Sequence, residues 1–119
     1  MKTLDLEKIH TALKAFAQER DWDQFHSVKN LSMALSVEAS ELAEIFQWMK
    51  EEDSNQLAQN PEAFFHAEEE IADVFLYLLR IAGKLDIDLE AAALKKMKKN
   101  ALKYPVETSR GSAKKHSTP

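Results

Sequence analysis

Apolar residues return every three or four positions along most of the chain, which is the spacing of a helix face. Leu6, Ile9, Leu13, Phe16 and Ala17 form the first stripe and predict a helix from about Asp5 to Arg20, with Thr3 or Asp5 as its cap. A short polar and aromatic loop follows, Asp21-Trp22-Asp23-Gln24-Phe25-His26. The second stripe, Leu31, Leu35, Glu38, Leu42, Ile45 and Met49, predicts a helix from near Ser27 to about Glu52 and puts Glu38 at a core position. A polar link, Asp53 to Asn60, leads to a third helix that Asn60 can cap, that Pro61 suits in its first turn, and that should end near Gly83. Ten of the twelve residues from Ile71 to Ala82 are apolar, with Asp73 among them, so this helix is apolar almost all round and belongs in the middle of a bundle or an oligomer. A fourth predicted helix begins at Asp86 or Asp88 and runs to about Lys103, where Tyr104-Pro105 stops it. The expected architecture is all-α: one domain over residues 1–104 and an extended or flexible tail over residues 105–119.

Composition narrows this further. A chain of 119 residues has room for one domain, and two Gly and three Pro supply too few tight turns for a multi-stranded β fold. There is no Cys, which removes disulfides, thiolate metal sites and cysteine nucleophiles together. The first twenty residues are amphipathic and carry Asp5, Glu7 and Glu19, unlike a secretory leader, so a cytoplasmic protein is expected. The longest apolar stretch falls short of the ~20 residues of a membrane span, so no membrane partner is expected. Charge is uneven: residues 1–83 hold 16 acids against 7 bases, and residues 84–119 hold 4 acids against 9 bases. That asymmetry fits an acidic metal site facing a basic anion clamp, and equally two differently solvated faces that help subunits pair.

Two local patterns carry chemistry, Glu38-Ala39-Ser40-Glu41 on the second helix and Glu70-Ile71-Ala72-Asp73 on the third. Residues three apart on a helix share a face, so each pair can grip one ion, and antiparallel packing would bring four carboxylates around one cavity. Without a counter-ion that is costly, because like charges repel and desolvation penalises each of them. A divalent cation resolves it, and hard oxygen donors without His or Cys favour Mg²⁺, with Mn²⁺ as a substitute. Glu pairs at this spacing are also common on solvated faces; Glu38 in an apolar stripe and Asp73 in an apolar run favour metal. A di-iron carboxylate bundle would need a Glu-x-x-His on each of two helices, which the sequence lacks.

These segments resemble the all-α nucleoside triphosphate pyrophosphohydrolases, which include MazG-like proteins and dCTP pyrophosphatases. The resemblance rests on Arg20-Asp21-Trp22-Asp23-Gln24-Phe25-His26, on Asn30-Leu31 through Glu38-Ala39-Ser40-Glu41 to Phe46-Gln47-Trp48, on Glu69-Glu70-Ile71-Ala72-Asp73-Val74, and on Lys96-Met97-Lys98-Lys99-Asn100 with Lys103-Tyr104-Pro105. Phe25-His26, Phe46-Gln47-Trp48 and Ser109-Arg110-Gly111-Ser112-Ala113 look most like the dCTP branch, from which Ala39-Ser40 departs where smaller, Gly-containing residues are expected.

The resemblance implies a four-helix bundle protomer assembled as a dimer or a dimer of dimers. It also implies Mg²⁺-dependent hydrolysis of a (deoxy)nucleoside triphosphate, dCTP or a related pyrimidine first, to monophosphate and pyrophosphate. Glu38, Glu41, Glu70 and Asp73 would hold the metal, and Glu41, with Glu38 beside it, is the candidate to orient or deprotonate the attacking water. Trp22, His26 and Trp48 would surround the base, and Tyr77 would lie beneath the site or bond the sugar. Lys96, Asn100, Lys103 and Tyr104 would bind phosphates from a neighbouring subunit; a lysine-rich helix end is otherwise a solvated face that suits the helix dipole. The overall acidity argues against nucleic acid as a partner. The competing reading is a non-catalytic helical dimerisation or regulatory module whose acidic pairs are surface charge.

Overall fold

In the computed structural model, which describes residues 1–113, each of the four long helices opens on a side chain that accepts a backbone N–H three residues on. Asp5 takes the Lys8 N–H at 3.0 Å to start α1 (Leu6–Glu19), and Ser27 takes that of Asn30 at 3.0 Å to start α2 (Val28–Phe46). Asn60 takes the Ala63 N–H at 3.3 Å before α4 (Pro61–Lys84), with Pro61 in its first turn, and Asp88 takes that of Ala91 at 3.0 Å before α5 (Leu89–Lys103). The short α-helices α3 (Glu51–Ser54) and α6 (Val106–Ser109) and two 3-10 turns, Asp23–Phe25 and Leu57–Gln59, complete the set, and no strand occurs among the described residues. The all-α class read from the sequence is what the chain adopts.

One boundary differs. The stripe predicted a single helix from Ser27 to Glu52, whereas α2 stops at Phe46 and the chain turns through residues 47–50 before α3. Continuing α2 would set Glu51, Glu52 and Asp53 against the negative end of its dipole; restarting after Lys50 puts all three in the first turn of α3, where the dipole favours them. Within the segment read as an extended or flexible tail, α6 forms one helical turn, and residues 114–119 lie outside the described residues.

Packing distinguishes two units, Met1–Asp86 and the residues from Ile87 onward. In the first, α2 and α1 both pack on α4. Leu31 shares a cavity with Leu76, while Glu44 and Ile45 border a groove with Glu62 and His66, so α2 and α4 run antiparallel. The buried apolar residues among those described are Ala17, Leu31, Ala67, Leu79 and Ala82. Gly83 lets α1 come close, because a β-carbon there would drive into the His10 ring. In the second unit no residue of α5 is buried, and Leu94, Met97 and Leu102 are exposed. Among the described residues, no helix is long and apolar enough to cross a membrane.

The loop after α1 is shaped by the end of that helix. Trp22 N–H bonds the Ala17 carbonyl at 2.9 Å and Asp21 N–H bonds that of Gln18 at 3.1 Å, the paired bonds of a Schellman stop, with Asp21 in the left-handed conformation at φ 53°. Asp tolerates that conformation better than most residues, which is why no glycine is needed to turn Trp22 away from the helix axis.

Candidate active site

The antiparallel register of α2 and α4 brings three predicted carboxylates together. One oxygen each from Glu38, Glu41 and Glu70 lie within 4.8 Å of one another. Glu70 is the most enclosed, at 8% exposure, and the Oε2 atoms of Glu38 and Glu70 are buried with no hydrogen-bond partner. Orphaned buried carboxylate oxygens cost at least ~1–3 kcal/mol each, more when charged, so they are expected to have a partner of opposite charge. Surface charge is a poor description of this cluster.

Proton affinities record the same crowding. The facing Glu70 carboxyl, then burial, holds Glu38 above the usual carboxylate range, and Glu38 raises Glu41 in turn. Burial first, then the charges of Glu38 and Asp73, pushes the Tyr77 hydroxyl up, so it stays a neutral donor. An all-oxygen cluster with two unpartnered buried oxygens fits a hard divalent cation. Asp73 is half-buried one turn beyond Glu70; it is outside the convergent trio and lines the adjoining cavity instead.

That cavity is about 230 Å³ and is walled by Trp22, His26, Tyr77 and Asp73, together with Phe16 and Arg80. Ligand pockets for drug-sized molecules run ~300–1,000 Å³, so this one has room for a base rather than a whole nucleotide. Trp22 meets Phe16 and His26 edge-on, with centroids 5.7 and 6.4 Å apart. Burial and then the positive charges of Arg80 and Lys84 lower the His26 pKa, against the pull of Asp23, and its buried Nδ1 has no partner. An uncharged imidazole with a free ring nitrogen can accept or donate one bond at a base edge.

Two features were not foreseen. Arg80, 6% exposed, pairs through Nη2 with Asp23 Oδ1 in the aromatic loop; its signal in the sequence was a cation inside an apolar run, which implies a counter-ion but does not say where from. His66 Nε2 stands 3.7 Å from Glu70 Oε1, one helical turn away at the edge of the carboxylate cluster.

The structure does not gather every candidate at one place. Trp48 was expected to wall the base pocket with Trp22, but it lies in the turn after α2 and is 91% exposed. Leu31 borders the cavity, and from there to Phe46 α2 rises ~22 Å, so Trp48 of the same chain is out of reach. Lys96, Asn100 and Lys103 belong to the second unit, where their spacing aligns them on one face of α5, with Tyr104 at its C-cap.

Known proteins place the chain. Bovine dCTP pyrophosphatase 1 is 43% identical to it over 112 residues, and the human protein of that name is 38% identical over the same length. Each match covers 94% of this chain and 64% of the relative, so the chain spans under two-thirds of these relatives' length. A pyrophosphatase from Archaeoglobus fulgidus, known from its crystal structure, is 36% identical and superposes with a TM-score of 0.76, covering 88% of this chain and 96% of that one. The MazG-like family model matches residues 33–118, a span that takes in both acidic pairs. With most of its length matched in sequence and in fold, the chain belongs to the MazG-like family.

Proposed function

We propose that this protein is a divalent-metal-dependent nucleoside triphosphate pyrophosphohydrolase that converts dCTP or a related pyrimidine nucleotide to monophosphate and pyrophosphate. The observation that carries the reading is the carboxylate trio with two orphaned buried oxygens beside a base-sized aromatic cavity. Relatives named dCTP pyrophosphatases support it. Glu38, Glu41 and Glu70 would hold the cation, with Asp73 completing the set from the cavity side. A bound Mg²⁺ neutralises triphosphate charge and lowers the pKa of water.

The remaining work falls to the chain itself. Glu41, which unlike Glu38 and Glu70 has no orphaned buried oxygen, would take a proton from the attacking water, while Glu38 and Glu70 fix its position. Trp22 stacks on the base, a contact worth about 1–3 kcal/mol. His26 reads a ring carbonyl or nitrogen, and neutral Tyr77 bonds the sugar. Since Trp48 cannot reach this cavity in its own chain, a pocket that uses it takes it from a second copy, and Lys96, Asn100, Lys103 and Tyr104 would reach phosphates in the same way. The protomer would then be a four-helix bundle working as a dimer or a dimer of dimers.

A panel of dCTP, dTTP, dATP and dGTP with Mg²⁺, read as phosphate after added inorganic pyrophosphatase, tests the reaction. The expected ranking by kcat/KM has dCTP first. Silence toward every triphosphate would remove the enzymatic reading, whereas a purine preferred about tenfold, a difference of ~1.4 kcal/mol, would overturn only the base assignment. His26→Ala should flatten the ranking more than it slows the poorest substrate, because a polar group reading a base edge discriminates more strongly than apolar size.

A further inference from the structure

Arg80 stands three residues after Tyr77 on α4, borders the base cavity, and is 6% exposed. Its Nη2 donates to Asp23 Oδ1, 57 residues earlier in the chain, and its Nε is buried without a partner. The other side-chain bonds of this loop are local. Gln24 Nε2 donates to the Asp21 carbonyl at 3.0 Å and to its carboxylate at 3.1 Å, and Asn30 Nδ2 donates to the Phe25 carbonyl at 3.0 Å. They shape the turn without tying it to α4. A guanidinium enters an apolar helix face at a high desolvation cost, which only a well-placed counter-ion offsets. Here that counter-ion lies in the loop between Trp22 and His26, two of the aromatic residues that wall the cavity.

We infer that the Asp23–Arg80 pair is a latch that holds the Trp22 to His26 loop against α4 and so sets the width of the base cavity, making Arg80 a positioning residue for substrate choice. The inference rests on the proposed nucleotide activity only for what the cavity receives; the latch itself is a property of the loop. Trp22 contacts both Phe16 and His26, so a displacement of Asp23 moves two aromatic walls together. Arginine suits the place better than lysine, since its planar fork can fix the orientation of a carboxylate and a point charge cannot. The two partners are unequal. The Asp23 side chain is 44% exposed and can hydrate when released, whereas Arg80 at 7% cannot, so Asp23→Asn strands a buried cation and Arg80→Met leaves only a solvated carboxylate.

The test has two arms. In a Trp48→Phe background Trp22 is the sole tryptophan, and its quenching by acrylamide reports loop release whether or not any nucleotide is turned over. Arg80→Met and Asp23→Asn should each raise the quenching constant about twofold, the double variant should match the singles, and Arg80→Lys should fall between wild type and Arg80→Met. Unchanged quenching, or additive effects in the double variant, overturns the latch. The second arm uses the unaltered Trp48 chain with dCTP and an abasic deoxyribose triphosphate. Arg80→Met should raise KM for dCTP about tenfold with kcat within about threefold, and should cost dCTP at least about fivefold more in kcat/KM than the abasic compound. Equal losses on both compounds overturn the positioning role. If the wild-type chain turns over no nucleotide, the functional reading fails, and the quenching arm alone still decides on the latch.

Discussion

Glu38→Gln, Glu41→Gln, Glu70→Gln and Asp73→Asn are each expected to lower turnover by on the order of 10³-fold, or ~4 kcal/mol of transition-state stabilisation, with helical circular dichroism unchanged. Each change keeps the side-chain size and removes one charge directed at the cation. Wild-type rates in any two of the four would dismantle the site. The metal-free proteins should move the other way in stability. Glu38 and Glu70 each hold a buried, unpartnered oxygen and their carboxyls meet in one cluster, so Glu38→Gln relieves repulsion and should raise the metal-free melting temperature by a few degrees, at roughly 4 °C per kcal/mol. Saturating Mg²⁺ should reverse the order, because ligand binding at ~100 times Kd adds about 2.7 kcal/mol to the wild type and much less to a variant that binds it weakly.

The pH dependence follows with a definite sign. Glu38 has a raised pKa in the fold, so its protonated form contributes stability that is complete below the unfolded value of ~4.3 and is lost as pH rises through the folded value. Metal-free protein therefore gains from this group on acidification from neutral pH. His26 has a lowered pKa, so its contribution is present above ~6.5 and is lost as pH falls. The two oppose each other, and subtracting the Glu38→Gln melting profile from that of the wild type isolates the Glu38 part. A difference that stays flat between pH 7 and pH 4.5 would show that Glu38 is not perturbed.

Much of this arrangement was legible in the sequence because it depends on local rules. Asp5, one of two caps the sequence offered for α1, and Asn60 are each a single side chain bonding three residues on, as is Asp88, one of two starts it offered for α5, and three-residue spacing was enough to place Glu38 beside Glu41. The sequence also marked Glu38 and Asp73 as the unusual acids, yet Glu70 is the most buried of the four. Its signal was present: Ala63, Ala67, Glu70, Val74, Tyr77 and Ile81 form one continuous helical stripe, and Glu70 occupies a core position in it as Glu38 does on α2. What could not be read was pairing at a distance. Nothing local links Asp23 to Arg80, and nothing in the stripe Leu31 to Met49 reveals that the helix stops at Phe46, before the acids that open α3, and leaves Trp48 away from the cavity.

Ile71→Glu is expected to convert the protein to monomers at micromolar concentration and to abolish most turnover. Phe64, Ile71 and Leu78 recur at seven-residue spacing on α4, at 41%, 56% and 43% exposure, while Met33 and Val37 lie one turn apart on α2 at 60% and 56%. A line of large apolar residues at this period suits a helix–helix contact, and a chain that buries so few apolar side chains among its described residues would gain by covering it. Burying one isoleucine is worth about 1.5–3 kcal/mol, and in a two-fold pair the change occurs twice, so dissociation should strengthen by roughly a hundredfold or more. On a lone chain the same exposed substitution would shift stability by only ~0.5 kcal/mol, as Lys14→Glu on α1 should in a parallel control. Light scattering separates these outcomes. Activity gives the second readout, because the proposed pocket, completed by Trp48 of another copy, would fail when the copies part. A wild-type monomer at micromolar concentration, or a monomeric Ile71→Glu with full turnover, would contradict the shared site.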